Sequence, residues 1–344
     1  MRSTPCSSNA GSRRAPPSSL KVVPLTESDQ RPSRRGLLLD RLRLPVIAAP
    51  MFLVSGPEMV IGASRAGVVG TFPAANCRTS EALDAWLGEI VGAIGNADGA
   101  DGGAAPWGIN LVAHRLNKRL SADLELTVRH RAPLVITSLG GPREVVDAVH
   151  GYGGLVFADV VSVAHARKAA ALGVDGLVLV CAGAGGHTGM LSPFAFVPAV
   201  RAFWDGELVV GGGIHTGEAV RAALALGADY AYIGTHFIAS TESMAKPGYK
   251  QMLVDADAAD IIVTDAFTGI RNSMLRPSIV AAGLDPDDIP PSMRGKIDFD
   301  DPHNGAKAWR DIWSAGQGVG AIRAVEPITA QVARLAEEYQ ASGS

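Results

Sequence analysis

The feature that most constrains the fold is a regular alternation of short apolar runs with longer stretches of helical period, which begins at Leu44. Each run is continuously apolar, which is the pattern of strands buried on both faces of a parallel sheet. Segments such as 81–94 and 218–226 separate the runs and carry a helical period. Eight strands are predicted, at residues 44–49, 68–72, 107–111, 134–139, 155–160, 176–180, 208–211 and 230–234.

Two of the predicted helices end alike. Residues 171–175 read Ala-Leu-Gly-Val-Asp and residues 225–229 read Ala-Leu-Gly-Ala-Asp, each leading into a strand. The glycine supplies the left-handed position that ends a helix. Eight strand–helix units over roughly 200 residues are typical of a (β/α)8, or TIM, barrel in the α/β class. A doubly wound sheet would show fewer strands and a Gly-x-Gly-x-x-Gly loop after the first, where this chain has Ala-Pro-Met-Phe at 49–52.

The chain divides into three regions. Residues 1–36 hold seven Lys or Arg against two acids, with Ser and Pro throughout, and predict a disordered basic N-terminal tail. Residues 37–241 contain the predicted barrel. In residues 242–344 the strand–helix rhythm stops, and helical periods near 249–255 and 327–339 predict a small helical cap whose last helix returns to the barrel.

Charge, hydropathy and cysteine content exclude several classes of function. The formal net charge is −3 and there is no sustained basic face, so nucleic acid is not an expected partner. The longest apolar run, 44–54, is interrupted by two prolines and is too short to cross a membrane, which takes about 20 helical residues. Three cysteines without metal-ligand spacing argue against a disulfide framework and a structural zinc. We therefore expect a soluble, cytoplasmic protein.

The active site of such a barrel lies at the carboxyl ends of its strands, where this chain concentrates its unusual residues. Glycines at 211–213 follow the seventh predicted strand, a helix begins near Thr216 and Gly217, and Gly234-Thr235 follows the eighth. Backbone N–H groups in these two loops favour an anion site, which predicts a phosphate-bearing cofactor or substrate.

His187 is the candidate catalytic residue. Glycines lie on both sides of it in the loop after the sixth strand, and its ordinary pKa suits a general base. Cys181 is interpreted as a buried small hydrophobe. His215 and His236 also fall at strand ends, but no acidic cluster and no His-x-His in the first strand accompany them, so no metal is predicted.

At these residues the sequence resembles the nitronate monooxygenase family, formerly called 2-nitropropane dioxygenases. The resemblance runs from about residue 40 to about residue 325, and Ala-Gly-Gly-His at 184–187 is its most specific part. It is carried by segments 45–51, 107–110, 159–160, 183–189, 212–214, 225–229, 233–235 and 313–318.

The resemblance implies an FMN-bound barrel that oxidises alkyl nitronates, and nitroalkanes, with O2 to carbonyl compounds and nitrite. By position, His187 is similar to the family's catalytic base, Asn110 and Met51 to contacts of the flavin ring, and the glycines to a phosphate cradle. The partners implied are the nitronate or nitroalkane and O2, and a homodimer is also considered. The residues assigned to the cofactor are Ala49, Pro50, Met51, Asn110, Asp159, Gly185, Gly186, Gly211, Gly212, Gly213, Gly234 and Thr235.

Three positions depart from the family pattern. Better-studied members have Gln and Gly where this chain has Val180 and Cys181, so one flavin contact is missing or supplied elsewhere. His236 stands where many relatives have Arg, which predicts a weaker or pH-dependent grip on phosphate.

Other chemistries share this scaffold. An FMN-dependent NAD(P)H:quinone or enoyl-carrier-protein reductase is the first alternative, and a non-catalytic flavin-binding barrel is the second. An inosine monophosphate dehydrogenase is disfavoured, because its loop nucleophile is a Cys and this loop carries His187.

Overall fold

The computed structural model describes residues 38–96, 103–140, 143–289 and 311–343. The predicted basic tail lies outside the described residues. Eight parallel strands close into a barrel in the order β1-β2-β3-β4-β5-β6-β8-β9, and β1 pairs with both β2 and β9. The (β/α)8 prediction is confirmed. The barrel strands are β1 (Val46–Ala48), β2 (Val69–Pro73), β3 (Trp107–Val112), β4 (Leu134–Ser138), β5 (Leu155–Val160), β6 (Gly176–Val180), β8 (Glu207–Gly211) and β9 (Tyr230–Ile233).

Helices follow the strands and cover the outside of the barrel. Their apolar faces pack on the strands, and α1 and α2 each bury a row of Leu, Ile, Val, Met or Ala side chains. The helices among the described residues are α1 (Pro57–Ala66), α2 (Ser80–Ile94), α3 (Leu120–Arg129), α4 (Arg143–His150), α5 (Val163–Ala170), α6 (Pro193–Arg201), α7 (Gly217–Ala225), α8 (Thr235–Ile238), α9 (Pro247–Asp255), α10 (Arg276–Ala281) and α11 (Ile328–Ala341).

The barrel interior is filled by side chains from alternate positions of its strands. Phe157, Val178, Val209 and Tyr230 belong to this inner cluster and are fully buried. The interior is therefore a packed core whose uppermost layer forms the floor of the strand-end face.

The two Ala-Leu-Gly-x-Asp segments have the same structural role. Gly173 and Gly227 have φ of 86° and 112°, the left-handed values expected after a helix. Asp175 then accepts a hydrogen bond from the N–H of Val156 at 2.9 Å, and Asp229 accepts one from the N–H of Leu208 at 2.8 Å. Each aspartate thus fixes the beginning of a neighbouring barrel strand.

The region after the barrel is not helical throughout, which corrects the sequence-based expectation of a helical cap. A hairpin of β10 (Ile261–Thr264) and β11 (Asn272–Leu275) lies in it, and β11 pairs antiparallel with the two-residue strand β7 (Gly186–His187) of the barrel loop. We call β7, β10 and β11 the cap sheet. Helix α11 packs on α1 and α7 of the barrel.

The described helices include none with the length and apolar character that a membrane span requires.

Candidate active site

A cavity of about 1030 Å³ opens at the carboxyl ends of the barrel strands. This volume is at the upper end of the roughly 300–1,000 Å³ usual for small-molecule sites, so it accommodates a cofactor together with a substrate. Every residue assigned to the site from sequence lines it, namely Ala49, Pro50, Met51, Asn110, Asp159, Gly185, Gly186, His187, Gly211, Gly212, Gly213, Gly234 and Thr235.

The loop after β1 is held by side-chain hydrogen bonds. Asn76 donates to the carbonyls of Met51 and Ser55 at 3.1 and 2.7 Å and accepts from the N–H of Leu53 at 2.8 Å. Ser55 accepts from the N–H of Met51 at 3.0 Å. These contacts fix the backbone around Met51, which the family resemblance assigns to the flavin ring. The sequence analysis did not identify Asn76.

Asn110 is fixed on β3 by its neighbour strand. Its Nδ2 donates to the carbonyl of Ile136 at 3.1 Å, and its Oδ1 accepts from the Ser138 hydroxyl at 3.4 Å. An amide can make four hydrogen bonds, so Asn110 keeps capacity for a ligand.

The glycine cradle of the site consists of Gly212 and Gly213 after β8, and Gly234 after β9. Gly212 and Gly213 have φ of 142° and 69°, which only glycine adopts without strain. A Cβ on Gly213 would meet no described atom within 4 Å, because this residue faces the open cavity. The backbone N–H groups of such a loop suit an anion.

The N-terminus of α7 does not take part, which corrects the prediction that Thr216 and Gly217 present N–H groups to the anion. The N–H of Gly217 donates to Glu338 of α11 at 2.8 Å, and a Cβ on Gly217 would lie 2.1 Å from the backbone nitrogen of Tyr339. The helix end is therefore closed by a carboxylate and by packing against α11.

Thr235 connects the end of β9 to the glycine loop at 314–320. Its hydroxyl accepts from the N–H of Gly316 at 2.8 Å, and the N–H of Gln317 donates to the carbonyl of Gly183 at 2.9 Å. A Cβ on Gly316 would lie 2.6 Å from that carbonyl. This late loop is thus a backbone support of the site.

His187 lies in β7, at the edge of the cap sheet. It pairs with Asn272, and the N–H of the next residue, Thr188, donates to the carbonyl of Arg271 at 3.1 Å. The residue lines the cavity, and desolvation lowers the pKa of its imidazole from 6.5 to about 4. His187 is therefore neutral at physiological pH, as a proton acceptor must be.

Two further polar groups line the floor of the cavity. Desolvation raises the pKa of Asp159 to about 7, and burial together with the charge of Asp159 raises the pKa of Tyr232 well above 10. Tyr232 was missed by the sequence analysis because it lies inside the predicted strand. Its ring lies across Gly211, where a Cβ would be 3.1 Å from the Cβ of Tyr232.

The departures from the family pattern have different outcomes. Cys181 is fully buried and desolvation raises the pKa of its thiol to about 12, so it is an inert core residue as interpreted. The suggestion that His236 grips phosphate is wrong. Of the described residues, those lining the cavity do not include His236, which is buried against α11 near Arg334, 3.4 Å away.

The described residues of the cap contribute few cations to the cavity. Lys246 lines the cavity and forms an ion pair with Asp311 at 3.3 Å. Lys250 is buried and donates to backbone carbonyls, while Arg276 pairs with Asp287 at 2.8 Å. Arg271 is not among the described lining residues.

Aromatic side chains of the cap form another part of the wall. Tyr249 and Trp313 stack with ring centroids 5.0 Å apart, and both line the cavity. Within the described parts of the chain, no three His, Cys, Asp or Glu side chains lie close enough together to hold a metal ion.

The residues present fit a flavin nucleotide. Open positive-φ glycines suit its phosphate, the braced loop after β1 and Asn110 supply polar backbone and amide groups for a ring, and two unpartnered polar atoms lie in the floor. A closed parallel barrel with these strand-end residues defines a cofactor-dependent (β/α)8 enzyme.

The chain belongs to the nitronate monooxygenase family, a family of flavin-dependent oxidoreductases. The family model described as "Nitronate monooxygenase" matches residues 37–282. The match covers the whole barrel and the cap sheet, and so includes His187 and the glycine cradle.

Three individual comparisons extend this result. A dehydrogenase of Rhodococcus jostii, named for (3aS,4S,5R,7aS)-5-hydroxy-7a-methyl-1-oxo-octahydro-1H-indene-4-carboxyl-CoA, is 26% identical over 236 residues. The match covers 69% of this chain and 64% of the relative, which is less than two thirds of the relative's length. A nitronate monooxygenase of Paraburkholderia phytofirmans is 28% identical over 313 residues, 75% of this chain and 81% of the relative. The solved nitroalkane oxidase of Streptomyces ansochromogenes has a TM-score of 0.73 and 25% identity, covering 89% of this chain and 98% of that chain.

Proposed function

We propose that the protein is an FMN-dependent enzyme that oxidises alkyl nitronates, and neutral nitroalkanes, with O2 to carbonyl compounds and nitrite. The observation that carries the proposal is His187, a histidine kept neutral by burial in the wall of the same cavity as the glycine cradle. Family membership and the similarity to a nitroalkane oxidase support it.

In this proposal the phosphate of FMN binds to Gly212, Gly213, Gly234 and Thr235, and the ring contacts Met51 and Asn110. Ala49, Pro50, Asp159, Gly185, Gly186 and Gly211 complete the wall. FMN, when bound, supplies the electron acceptor that side chains lack.

His187 accepts the α-proton of a neutral nitroalkane on its unprotonated imidazole nitrogen. The neutral substrate becomes an anion as the imidazole becomes a cation, so the products of the transfer attract each other in a site of low dielectric constant. A nitronate enters already deprotonated and does not need this step.

The test of the proposal begins with the flavin. The purified protein should be yellow and, on denaturation, release FMN, which chromatography distinguishes from FAD. In air the holoenzyme should release nitrite from an alkyl nitronate, and under anaerobic conditions the nitronate should change the flavin spectrum. The presence of FAD or no flavin, or the absence of nitrite, would contradict the proposal. Rapid bleaching by NADH or NADPH without nitrite would favour the quinone or enoyl reductase alternative.

A second candidate is dehydrogenation of a bulky carboxyl-CoA thioester. The size of the cavity favours it, because a small nitronate beside a flavin leaves much of about 1030 Å³ unused. Lys168 also lines the cavity and suits a phosphate of a CoA group, whereas Arg119 on the same wall forms an ion pair with Asp123 at 2.9 Å. Similarity to the carboxyl-CoA dehydrogenase supports the same reading.

In the second candidate His187 takes the proton next to the thioester carbonyl, and FMN, when bound, would accept the hydride from the neighbouring carbon. Anaerobic bleaching of the flavin by a cyclic carboxyl-CoA thioester, with no response to the free acid or to nitronates, would establish this candidate over the first. We also propose that the holoenzyme is a homodimer. Analytical ultracentrifugation of the purified holoenzyme measures its oligomeric state.

A further inference from the structure

The floor of the cavity contains two buried polar atoms without a hydrogen-bond partner among the described residues. These are Oδ1 of Asp159 on β5 and the hydroxyl of Tyr232 on β9. Both residues line the cavity, so these atoms lie in the wall of the space that a ligand fills. Polar groups excluded from water normally have partners, and two such groups together indicate that a partner arrives with the ligand.

The strands between them show why these two residues reach the cavity floor. β6 and β8 separate β5 from β9, and in this register Val180 is paired with Gly211, which is paired with Tyr232. Val180 offers an apolar side chain and Gly211 offers none, so neither supplies a hydrogen bond to the floor. The missing side chain at Gly211 leaves room for the Tyr232 ring.

We propose that Asp159, as a neutral protonated carboxyl, and Tyr232 are a donor pair that hydrogen-bonds to the polar edge of the bound flavin ring. The inference rests on the proposed FMN site and deepens it, because it assigns to two side chains the polar contact that Val180 does not supply. Both are positioning residues for the cofactor and neither transfers the substrate proton.

The surroundings of Asp159 agree with the neutral form. Burial raises the pKa of its carboxyl, and no basic side chain among the described residues lowers it again. The other titratable groups that line the cavity are Tyr232, Tyr249, His165, His187, His215, Asp123, Arg119, Lys168 and Lys246. Arg119 and Lys246 form ion pairs with Asp123 and Asp311, at 2.9 and 3.3 Å. His165 and Lys168 belong to α5 and are exposed, so they lie toward solvent and do not neutralise a buried carboxylate.

The experiment uses the purified holoenzyme and FMN itself as the probe. FMN release on dilution is followed by its fluorescence in wild type, Asp159→Asn, Asp159→Ala and Tyr232→Phe, between pH 6 and 9, together with the flavin absorption spectrum. The Asn variant keeps an N–H donor, so its dissociation constant at pH 6 should stay within about threefold of wild type, whereas the Ala variant should bind roughly tenfold more weakly. Tyr232→Phe should weaken binding by several-fold.

The pH series separates a neutral donor from a carboxylate. Wild-type affinity for FMN should fall as the pH rises above neutrality and Asp159 loses its proton, whereas Asp159→Asn should remain constant. Asp159→Asn as weak as Asp159→Ala at pH 6, or wild-type affinity and spectra in all variants, would overturn the inference while leaving FMN binding intact. A wild-type protein that binds no FMN would overturn the proposed function and this inference together. The melting temperature of each variant identifies an unfolded protein, and the nearly isosteric Asn variant still decides the question through its pH profile.

Discussion

His187 in the barrel loop and Asn272 in the cap hairpin are directly opposite each other in an antiparallel strand pair. The pairing continues at the next residue, where the N–H of Thr188 donates to the carbonyl of Arg271. The candidate base is therefore held by a sheet that joins two regions of the chain, rather than by a loop alone.

Replacing His187 by Asn should remove the proton acceptor and keep the approximate shape of the side chain. We expect kcat/KM for neutral nitroalkanes to fall by about 10²–10⁴-fold, with a much smaller loss for pre-formed nitronates. Nitrite release with the two substrates measures both values. An equal loss with both would mean that His187 positions the substrate or flavin.

The wild-type pH profile provides a separate test of the same residue. Because burial lowers the pKa of His187 to about 4, the base is unprotonated above that value. The kcat/KM for a nitroalkane should therefore show no loss from protonation of this base until the pH approaches 4, and an acid limb centred near 6.5 would contradict the burial argument. The same shift also affects stability. The contribution of His187 to the free energy of unfolding decreases as the pH falls from 6.5 toward 4, because the histidine takes up a proton when the protein unfolds.

Asn272 should support His187 through the turn before β11. Its Nδ2 donates to the carbonyl of Ile270 at 2.6 Å and to the hydroxyl of Thr268, and the side chain is fully buried. Asn272→Ala should destabilise the protein by about 1–3 kcal/mol and lower nitroalkane turnover. Urea unfolding and nitrite assays measure the two effects.

Ser273→Ala is the matched control for this variant. Ser273 is the next residue of the strand and is equally buried, but its hydroxyl has no hydrogen-bond partner among the described residues. Its loss should be neutral or slightly stabilising. Equal effects of the two variants would show that any change in β11 disturbs the site, whatever its hydrogen bonds.

The stability of the flavin-free protein should depend on Asp159. The pKa of this residue is about 7 in the folded protein against 3.8 for an ordinary carboxyl, so the folded state binds the proton more tightly. The contribution of Asp159 to stability should fall as the pH rises from about 4 to about 7, opposite in sign to the contribution of His187, so the difference in stability between wild type and Asp159→Asn should show this slope. Unfolding midpoints at several pH values measure it, with the exposed Asp205→Asn as control. Parallel slopes for wild type and Asp159→Asn would show that the carboxyl is ionised throughout.

Gly213→Ala should weaken FMN binding. Gly213 and Gly173 both have positive φ, 69° and 86°, and a Cβ on either would meet no described atom within 4 Å. Both alanine variants therefore carry a similar backbone strain of about 1 kcal/mol, but only Gly213 lines the cavity. The FMN dissociation constant should rise in Gly213→Ala and stay unchanged in Gly173→Ala. An unchanged value in both would place the phosphate elsewhere.

The sequence was sufficient to predict the barrel because its strands are buried on both faces, and burial leaves a continuous apolar run in the sequence. The strand-end residues could be assigned because the fold places the carboxyl ends of all strands on one face. His187 and the glycines at 211–213 were found in this way.

Other features depend on contacts between distant segments. The carboxylate of Glu338 at the start of α7 and the packing of His236 on α11 are contacts across about a hundred residues of sequence, and no local pattern indicates them. Tyr232 lies within the predicted strand at 230–234 and was not assigned to the site. The β-branched run at 261–264 could have predicted strand β10 of the cap sheet, but no local pattern indicates that β11 pairs with β7.

The aspartates of the two Ala-Leu-Gly-x-Asp segments lie at the end of the barrel opposite the cavity. This position has a consequence for how the protein can evolve. Asp175 and Asp229 secure the starts of β5 and β8 with hydrogen bonds from Val156 and Leu208, and Arg201 bonds to Asp229 as well. These anchors share no side chain with the cavity. Substrate preference can therefore drift by substitutions at one rim of the barrel while the opposite rim keeps the scaffold assembled, so the two properties are open to separate selection.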